Sequence, residues 1–270
     1  MNSRDERVLI FQDTKKQFET DSELIAAVKE SNMRQEVILQ GEAVSGQIRS
    51  YELPAKVVVS RKRSFEAALA YEGQAVCVLN FASSKNPGGG VEWGSTAQEE
   101  CLCRCSTLFA NLTHPKCLDR FYYPHRRFRG TLYNDDCIYT PNVVVFKSDT
   151  AKPQLLPRDQ WHRLNLITRA APNLRPDRDG NPVRITDGQL EKLHIQRMER
   201  ILQIAAAKGN EVVILGAYGC GAFKNPPQVV AAALKQAVEK YNHHFRTIEF
   251  AVYCRPDDDW NYQVFRRALN

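Results

Sequence analysis

The chain of 270 residues is 43% hydrophobic and 25% charged, and its formal net charge is +6. This composition is ordinary for a globular protein, and the mild positive charge suits a phosphorylated or polyanionic ligand without indicating nucleic acid by itself. No apolar run approaches the length of a membrane span, and the N-terminal residues lack a signal-peptide pattern. We therefore expect neither a membrane protein nor a secreted one.

The chain contains eight cysteines and six histidines. Cys101, Cys103 and Cys105 alternate along a predicted helix, so their side chains point to different sides and cannot share one metal ion. No histidine has the spacing of a metal motif. We expect no metal and no other cofactor. We also expect reduced thiols in an intracellular protein of the cytoplasm, or of the nucleus if the source is eukaryotic.

The first part of the chain alternates between helical and strand patterns. Residues 1–40 predict helix, 56–60 a strand, 64–73 a short helix and 75–79 a buried strand. Strands that alternate with helices predict an α/β fold with a mainly parallel sheet.

A further helix is predicted over 95–112. Two overlapping capping boxes would open it, one pairing Ser95 with Gln98 and the other pairing Thr96 with Glu99. The rest of the chain predicts strands at 137–146 (in two pieces around its proline), 164–173, 211–216 and 247–254, and helices at 189–208, 226–241 and 261–269.

Two glycine stretches each follow a predicted strand and lead toward a predicted helix. Gly88, Gly89 and Gly90 permit positive φ and close approach of a ligand, and the exposed amides of such a loop can cradle a diphosphate. The second stretch, 216–223, precedes a helix N-terminus, which suits an anion. Either loop could be a simple turn, but together they predict two loops that bind one diphosphate. Phe223 could pack on a ribose or in the core.

Glu99 and Glu100 stand in the first turn of the helix predicted over 95–112. Acids there can simply complement the helix dipole, and the predicted capping box already employs Glu99. Glu100 belongs to no predicted capping box. Burial beside an enclosed glycine loop would raise the pKa of its carboxyl, so that it could donate a proton. A hydrolase that acts on a glycosidic bond needs such a donor.

Two other features have open interpretations. Cys220, between glycines, is either a nucleophile or a small residue without chemistry, and no His or acid is obviously paired with it. The stretch 120–135 is aromatic and basic without a period, which predicts a long surface loop. The stretch contains four arginines, which either contact a polyanion or face water. They are Arg120, Arg126, Arg127 and Arg129.

The sequence GGG, seven residues, then QEE resembles the signature of the microbial-type poly(ADP-ribose) glycohydrolases. The similarity extends to residues 79–83, 138–146, 167–173, 216–226 and 250–254, and to Tyr122, His125 and Arg126. It runs from about residue 55 to the end and is weaker before. The resemblance implies a macrodomain-like, three-layer α/β/α fold with a mixed, mostly parallel central sheet. An N-terminal helical extension, 1–55, would pack on a catalytic domain, 56–270.

The resemblance also implies a mechanism. Glu100 would protonate the leaving oxygen of a ribose–ribose O-glycosidic bond through an oxocarbenium-like state, and would then activate water. Glu99 would hold the ribose hydroxyls. The implied ADP-ribose-binding residues are Asn80, Asn86, Gly88, Gly89, Gly90, Gln98, Gly219, Cys220, Gly221, Ala222 and Phe223. The animal-type pattern has Asn in place of Ser83, so which Asn holds the distal ribose stays open. Residues 168–173 would line the adenosine end.

We therefore expect an enzyme, a poly(ADP-ribose) glycohydrolase that releases ADP-ribose from chain ends. Two alternatives stay open: a hydrolase that removes single ADP-ribose units from protein, nucleic acid or a small molecule, and an ADP-ribose-binding module without turnover. The expected partner is poly(ADP-ribose) or another ADP-ribosylated substrate, bound by a monomer that contacts no membrane and recognises no nucleic-acid sequence. Whether internal linkages are cut depends on the loops at 120–135 and 174–188.

Overall fold

A computed structural model describes residues 3–176, 179–255 and 257–269, so part of the predicted loop 174–188 lies outside the described residues. The helices, in chain order, are α1 Ser3–Thr20, α2 Ser22–Arg34, α3 Ser64–Ala68, α4 Gln98–Cys105, α5 Leu108–Leu112, α6 Pro115–Cys117, α7 Tyr123–Arg127, α8 Asp187–Ala207, α9 Pro227–Tyr241 and α10 Trp260–Leu269. The strands are β1 Glu36–Ile38, β2 Lys56–Ser60, β3 Val76–Phe81, β4 Cys137–Val145, β5 His162–Arg169, β6 Val212–Leu215 and β7 Thr247–Ala251.

Among the described residues, seven strands form one mixed, mostly parallel sheet with the order β1-β4-β5-β3-β6-β7-β2. The chain divides into two compact units, each described by itself below. The first comprises 3–38, 80–128 and 136–170, and the second comprises 39–79, 129–135 and the described residues from 171 onward. The predicted α/β class and the mainly parallel sheet are confirmed.

The first unit contains the antiparallel part of the sheet. Strand β4 pairs with β1 on one side and with β5 on the other, and its register shifts between Thr140 and Val143. Asn142 lies within this bulge with φ of +55°. The two predicted strand pieces around Pro141 are therefore one strand with a bulge, which absorbs the proline that a regular ladder would not accept.

Helix α1 is tied to the same unit by a buried lysine. The Nζ of Lys147 donates to the side chains of Asp13 (2.6 Å) and Thr14 (2.8 Å), and the Thr14 hydroxyl in turn donates to the Arg104 carbonyl (2.7 Å). A buried ammonium needs hydrogen-bond partners, and α1 supplies them. The same bonds hold α1 against α4.

The second unit contains the parallel part of the sheet. Strand β6 pairs with β3 and β7, and β7 pairs with β2, all in parallel. Every described residue of β3 before Asn80, and every residue of β6 and β7, is buried. Strand β6 and β3 before Asn80 are continuous apolar runs, which are typical of parallel sheets that are covered on both faces. Helices α8 and α9 pack against each other along their lengths.

The helix predicted over 95–112 is wrong in two respects. It is broken into α4 and α5, because Ser106 is extended and bridges to Val145 of the sheet. The capping boxes do not form, and Ala97 is the N-cap without a side-chain bond. The side chains of Gln98 and Glu99 instead accept backbone N–H groups of Phe81 and Ser83.

The long surface loop predicted over 120–135 is also wrong for its first half. A π-helical turn, Leu118–Tyr122, leads directly into α7, and only the residues after Arg127 lack regular structure. Phe121 and Tyr122 are buried beneath this segment. The wider π turn disrupts the helical period of the sequence, which is why the pattern predicted no helix.

Candidate functional site

The end of β3, a glycine loop and the start of α4 build the candidate site of the first unit. Strand β3 delivers Asn80, which is fully buried, and the chain turns through 82–87 before the three glycines. After a short 3-10 turn, Val91–Trp93, helix α4 begins at Gln98. The Gln98 side chain accepts the N–H of Phe81 at 2.8 Å, so the helix start is fastened to the strand end.

Glu99 is a buried carboxyl held by donors on several sides. Its Oε2 accepts the N–H of Ser83 at 2.7 Å, and its Oε1 accepts the amide Nδ2 of Asn80 at 3.2 Å. Burial raises the pKa of Glu99 to about 8, and the Glu100 carboxyl adds to this rise. The bonds from Ser83, Asn80 and Gly88 oppose it because they favour the charged form. The two adjacent carboxyls therefore hold at least one proton at neutral pH.

Glu100 is anchored by one oxygen only. Its Oε1 accepts the N–H of Gly90 at 2.8 Å. Its Oε2 is buried and has no hydrogen-bond partner among the described residues. A buried oxygen without a partner is costly unless it is protonated or meets a ligand or water.

The three glycines are required by the space around them. A Cβ on Gly89 would lie 2.5 Å from Oε1 of Glu100 and 3.2 Å from Oε2 of Glu99, and φ at this position is +60°. A Cβ on Gly90 would lie 2.4 Å from the Ser95 hydroxyl, and one on Gly88 would lie 2.7 Å from the ring of Phe109. The loop backbone thus runs in contact with both carboxyls, as close as a chain without side chains permits.

Helices α1 and α4 hold the stretch between the glycines and α4. Arg4 and Arg7 donate their Nε atoms to the carbonyls of Trp93 (2.7 Å) and Gly94 (2.6 Å). The buried Arg104 donates to the carbonyl of Ser95 at 2.7 Å. Three guanidinium groups therefore bind consecutive carbonyls and fix the path of the loop.

Further buried atoms around this site have no partner among the described residues. They are Oδ1 of Asn80, Oγ of Ser84 and the hydroxyl of Tyr122. Burial raises the pKa of Tyr122, and the Glu99 carboxyl contributes to the rise. Ser84 was missed by the sequence analysis, and Tyr122 was named there only as part of the resemblance, without a role in the site.

Within this unit the structure brings together most of the predicted residues: Asn80, Gly88, Gly89, Gly90, Gln98, Glu99 and Glu100. Asn86 lies on the exposed turn before them, where its carbonyl accepts the N–H of Gly89 at 2.9 Å. Asn80 has its side-chain amide against Glu99 and Thr168, so its observed contacts are with the protein.

The second glycine loop, in the second unit, follows β6. Gly219 has φ of +83°, and a Cβ there would lie 2.7 Å from Asn225 and 2.8 Å from Ala171. The buried Asn225 donates its Nδ2 to the carbonyls of Pro172 (2.7 Å), Gly219 (3.0 Å) and Phe223 (3.3 Å). Its Oδ1 lies 2.9 Å from Nε2 of His194, which therefore donates.

The remaining predicted residues of this loop differ in exposure. Gly221 and Ala222 are exposed, and Cys220 and Phe223 are half-buried. Burial raises the pKa of the Cys220 thiol above its ordinary value, so this thiol is protonated at neutral pH and is a poor nucleophile. Asn225 and His194 were missed by sequence reasoning. Only the position of Asn225 directly after the loop could have drawn attention to it.

In the described part of the chain, no three His, Cys, Asp or Glu side chains are grouped as a metal ion would require. All eight cysteines are thiols. Within residues 3–176, 179–255 and 257–269, no helix combines the length and apolar character needed to cross a membrane.

A family model described as "Microbial-type PARG, catalytic domain" matches residues 6–148, more than half of the chain. The chain belongs to this family. The match includes α1 and α2, where the sequence resemblance was weaker. The resemblance to microbial-type poly(ADP-ribose) glycohydrolases (PARG) is thereby confirmed. No curated protein matches the chain.

Solved structures of bacterial PARG are similar over nearly the whole chain. The enzyme from Thermomonospora curvata is 28% identical with a TM-score of 0.83, and the match covers 98% of this chain and 100% of that one. Its complex with the inhibitor ADP-HPD is 27% identical with a TM-score of 0.80, covering 98% and 99%. The PARG of Deinococcus radiodurans in complex with ADP-ribose is 30% identical with a TM-score of 0.77, covering 90% and 96%. The macrodomain-like fold class is confirmed.

Proposed function

We propose that this protein is a poly(ADP-ribose) glycohydrolase that cleaves ribose–ribose O-glycosidic bonds and releases ADP-ribose from chain ends. Membership in the microbial-type PARG family and the similarity to PARG structures with ADP-ribose or ADP-HPD support the activity. One observation supports the chemistry most directly. Oε1 of Glu100 is fixed by Gly90, while its buried Oε2 has no partner among the described residues.

In this proposal the two carboxyls divide the work. Both oxygens of Glu99 accept hydrogen bonds, from Asn80 and Ser83, whereas Oε2 of Glu100 has no partner among the described residues, so we assign the transferred proton to Oε2 of Glu100. Glu100 donates this proton to the leaving ribose oxygen as an oxocarbenium-like state develops, and then takes a proton from the attacking water. Glu99 accepts ribose hydroxyls and holds the sugar in place.

The glycine loops supply the binding groups. Gly88 to Gly90 bend around the diphosphate, and the exposed backbone of Gly221 and Ala222 binds phosphate with Gly219 and Cys220. Phe223 packs on the ribose. Strands β3 and β6 are parallel neighbours, and each is followed by one of these loops. In α/β sheets, ligands bind outside the carboxyl ends of parallel strands, which supports a binding role for each loop.

Several expectations stay predictions. These are the boundary at residue 55, the cytoplasmic location, the monomeric state, the independence of cofactors, and the binding of the distal ribose by Asn80 or Asn86. The observed bonds of Asn80 support an added role for it in orienting Glu99.

The experiment measures release of ADP-ribose from polymer by the unmodified protein and by Glu100→Gln. The variant keeps an oxygen for the Gly90 N–H, so it should fold and bind ADP-ribose, but we expect at least a hundredfold loss of kcat, as for loss of a general acid. Glu92→Gln, an exposed acid between the glycines and α4, is the matched control and should keep full activity.

Turnover by Glu100→Gln at the normal rate would contradict the mechanism. If the unmodified protein released ADP-ribose only from singly modified substrates, it would be a mono-ADP-ribosyl hydrolase. Binding of ADP-ribose without any turnover would make it a binding module. Free ADP-ribose as the only early product would support action at chain ends, whereas early oligomers would show cleavage of internal bonds.

A further inference from the structure

The helical segment 118–127 has one buried side and one basic side. On the buried side, Nδ1 of His125 donates to the carbonyl of Phe121 at 2.7 Å, and the two rings lie 4.3 Å apart. Nε2 of His125 lies 3.7 Å from the buried Asp136. Phe121, Tyr122 and His125 are each at most 3% exposed. Their burial anchors the segment and fixes the position of the side chains on its exposed side.

The other side carries a cluster that we call the arginine–tyrosine face. It consists of the exposed side chains of Arg120, Tyr123, Arg126, Arg127 and Phe128. Tyr123 and Phe128 are each 42% exposed, which is unusual for aromatic rings on one short segment. The guanidinium of Arg126 lies over the Tyr123 ring, 5.2 Å from its centre.

This face is connected directly to the glycine loop. Nε of Arg126 donates to the carbonyl of Lys85 at 2.8 Å. Lys85 belongs to the turn that precedes the glycines, and the next carbonyl, that of Asn86, accepts the N–H of Gly89. The face is therefore bonded to the chain three residues before Gly88, where the loop that contacts Glu99 and Glu100 begins.

Its chemistry matches a polymer that carries phosphates and bases. Guanidinium groups bind phosphates, and exposed aromatic rings stack on bases whatever their sequence. Residues 118–128 contain three arginines and one acid, Asp119, so their formal charge is positive. A face that only kept the protein soluble would need no exposed rings among its charges.

We propose that the arginine–tyrosine face binds poly(ADP-ribose) beyond the two ADP-ribose units that flank the cleaved bond. This inference rests on the proposed function and names the part of the substrate that the catalytic loops leave unbound. Phosphates of the extending chain contact Arg120 and Arg127, and an adenine stacks on Tyr123. Long polymer is then a better substrate than short polymer because it binds more tightly, with the same chemistry at the bond.

The test compares Arg120→Gln/Arg127→Gln with the unmodified protein on two substrates, long poly(ADP-ribose) and a dimer of ADP-ribose. We expect KM for the long polymer to rise about fivefold with kcat unchanged, and turnover of the dimer to stay the same. For the long polymer, the slope of log KM against log salt concentration should be about 1.4 smaller than in the unmodified protein, because two phosphate contacts are removed. Tyr123→Leu, which changes no charge, should raise KM for the long polymer about fivefold.

Arg266→Gln/Arg267→Gln is the matched control, since it removes two exposed arginines from α10. Equal effects of the two double variants, equal effects on both substrates, or no effect on the long polymer would overturn the proposal. Single-stranded poly(A) of equal charge that competes as well as poly(ADP-ribose) would also overturn it, because the face would then be a nucleic-acid site. If the unmodified protein released no ADP-ribose at all, the proposed function would fail. Fluorescence polarisation of labelled polymer would then still decide whether this face binds it.

Discussion

The two glycine loops look alike in sequence, and each follows a buried strand, but they are held in different ways. In the first loop the backbone is bound by acids. The N–H of Ser83 donates to Glu99, and the N–H of Gly90 donates to Glu100. In the second loop a neutral amide does this work, since Asn225 donates to three carbonyls and accepts from His194.

The difference assigns distinct tasks to the two loops. One of the two acids that shape the first loop, Glu100, is also the group that we propose to transfer the proton, so the geometry of this loop and its protonation are coupled. The Asn225 amide that donates to the carbonyls of the second loop has no ionisable proton, so these hydrogen bonds should not depend on pH. We therefore expect a change at Glu100 or at the glycines beside it to lower turnover, and loss of the Asn225 amide to lower stability.

The largest effect is expected for Gly89→Ala. The new Cβ would lie 2.5 Å from Oε1 of Glu100 at a residue with φ of +60°, so the carboxyl must move. A displacement of about 1 Å at a catalytic group can cost about a hundredfold in rate, and we expect at least that loss in kcat. Steady-state kinetics on poly(ADP-ribose) would measure it, with thermal unfolding to show that the variant is folded.

Gly188→Ala is the control for this change. Gly188 lies in the first turn of α8, no atom lies within 4 Å of an added Cβ, and its φ is ordinary. Alanine there should leave kcat unchanged. If Gly89→Ala kept full activity, the close contact between the loop and the carboxyls would not matter for catalysis.

A smaller effect, on stability, is expected for Asn225→Asp. The two side chains have nearly the same shape, but aspartate loses the donor that satisfies the carbonyls of Pro172, Gly219 and Phe223. Buried acceptors without a donor should lower the free energy of unfolding by about 2 kcal/mol, measured by urea unfolding. Asn261→Ala, a partly exposed position in α10, should change it little. An unchanged stability of Asn225→Asp would mean that this amide does not hold the second loop.

The sequence predicted the features that depend on local signals. The buried strands before both loops read as continuous apolar runs, and the glycines stand where positive φ or contact with a carboxyl excludes a side chain. Each strand and helix also has its own hydrophobic period, so their alternation along the chain could be recognised, and it indicated a mainly parallel sheet.

What the sequence did not predict depends on partners that are distant in the chain. The capping boxes were wrong because Gln98 and Glu99 bind backbone groups of residues 81 and 83, which the local pattern cannot reveal. His194 and Asn225 are 31 positions apart and meet only in the folded chain. The helical turns after Leu118 were missed because burial of Phe121 and Tyr122, not a regular period, decides their conformation.

The smallest effect concerns the pH dependence of stability in the first loop. Burial raises the pKa of Glu99 to about 8, above its value in the unfolded chain, so between about pH 4.5 and 8 the folded state holds a proton that the unfolded state has lost. The contribution of Glu99 therefore makes the free energy of unfolding fall as pH rises through this range, by at most ~1.4 kcal/mol per pH unit. In Glu99→Gln this contribution is absent, so urea unfolding at pH 5 and 7.5 should show a smaller fall in the free energy of unfolding than in the unmodified protein.

Glu239→Gln, which alters an exposed acid on α9, is the control and should keep the original fall. The same fall in Glu99→Gln as in the unmodified protein would show that Glu99 is charged in the folded state, and that the first loop is no more sensitive to pH than the second.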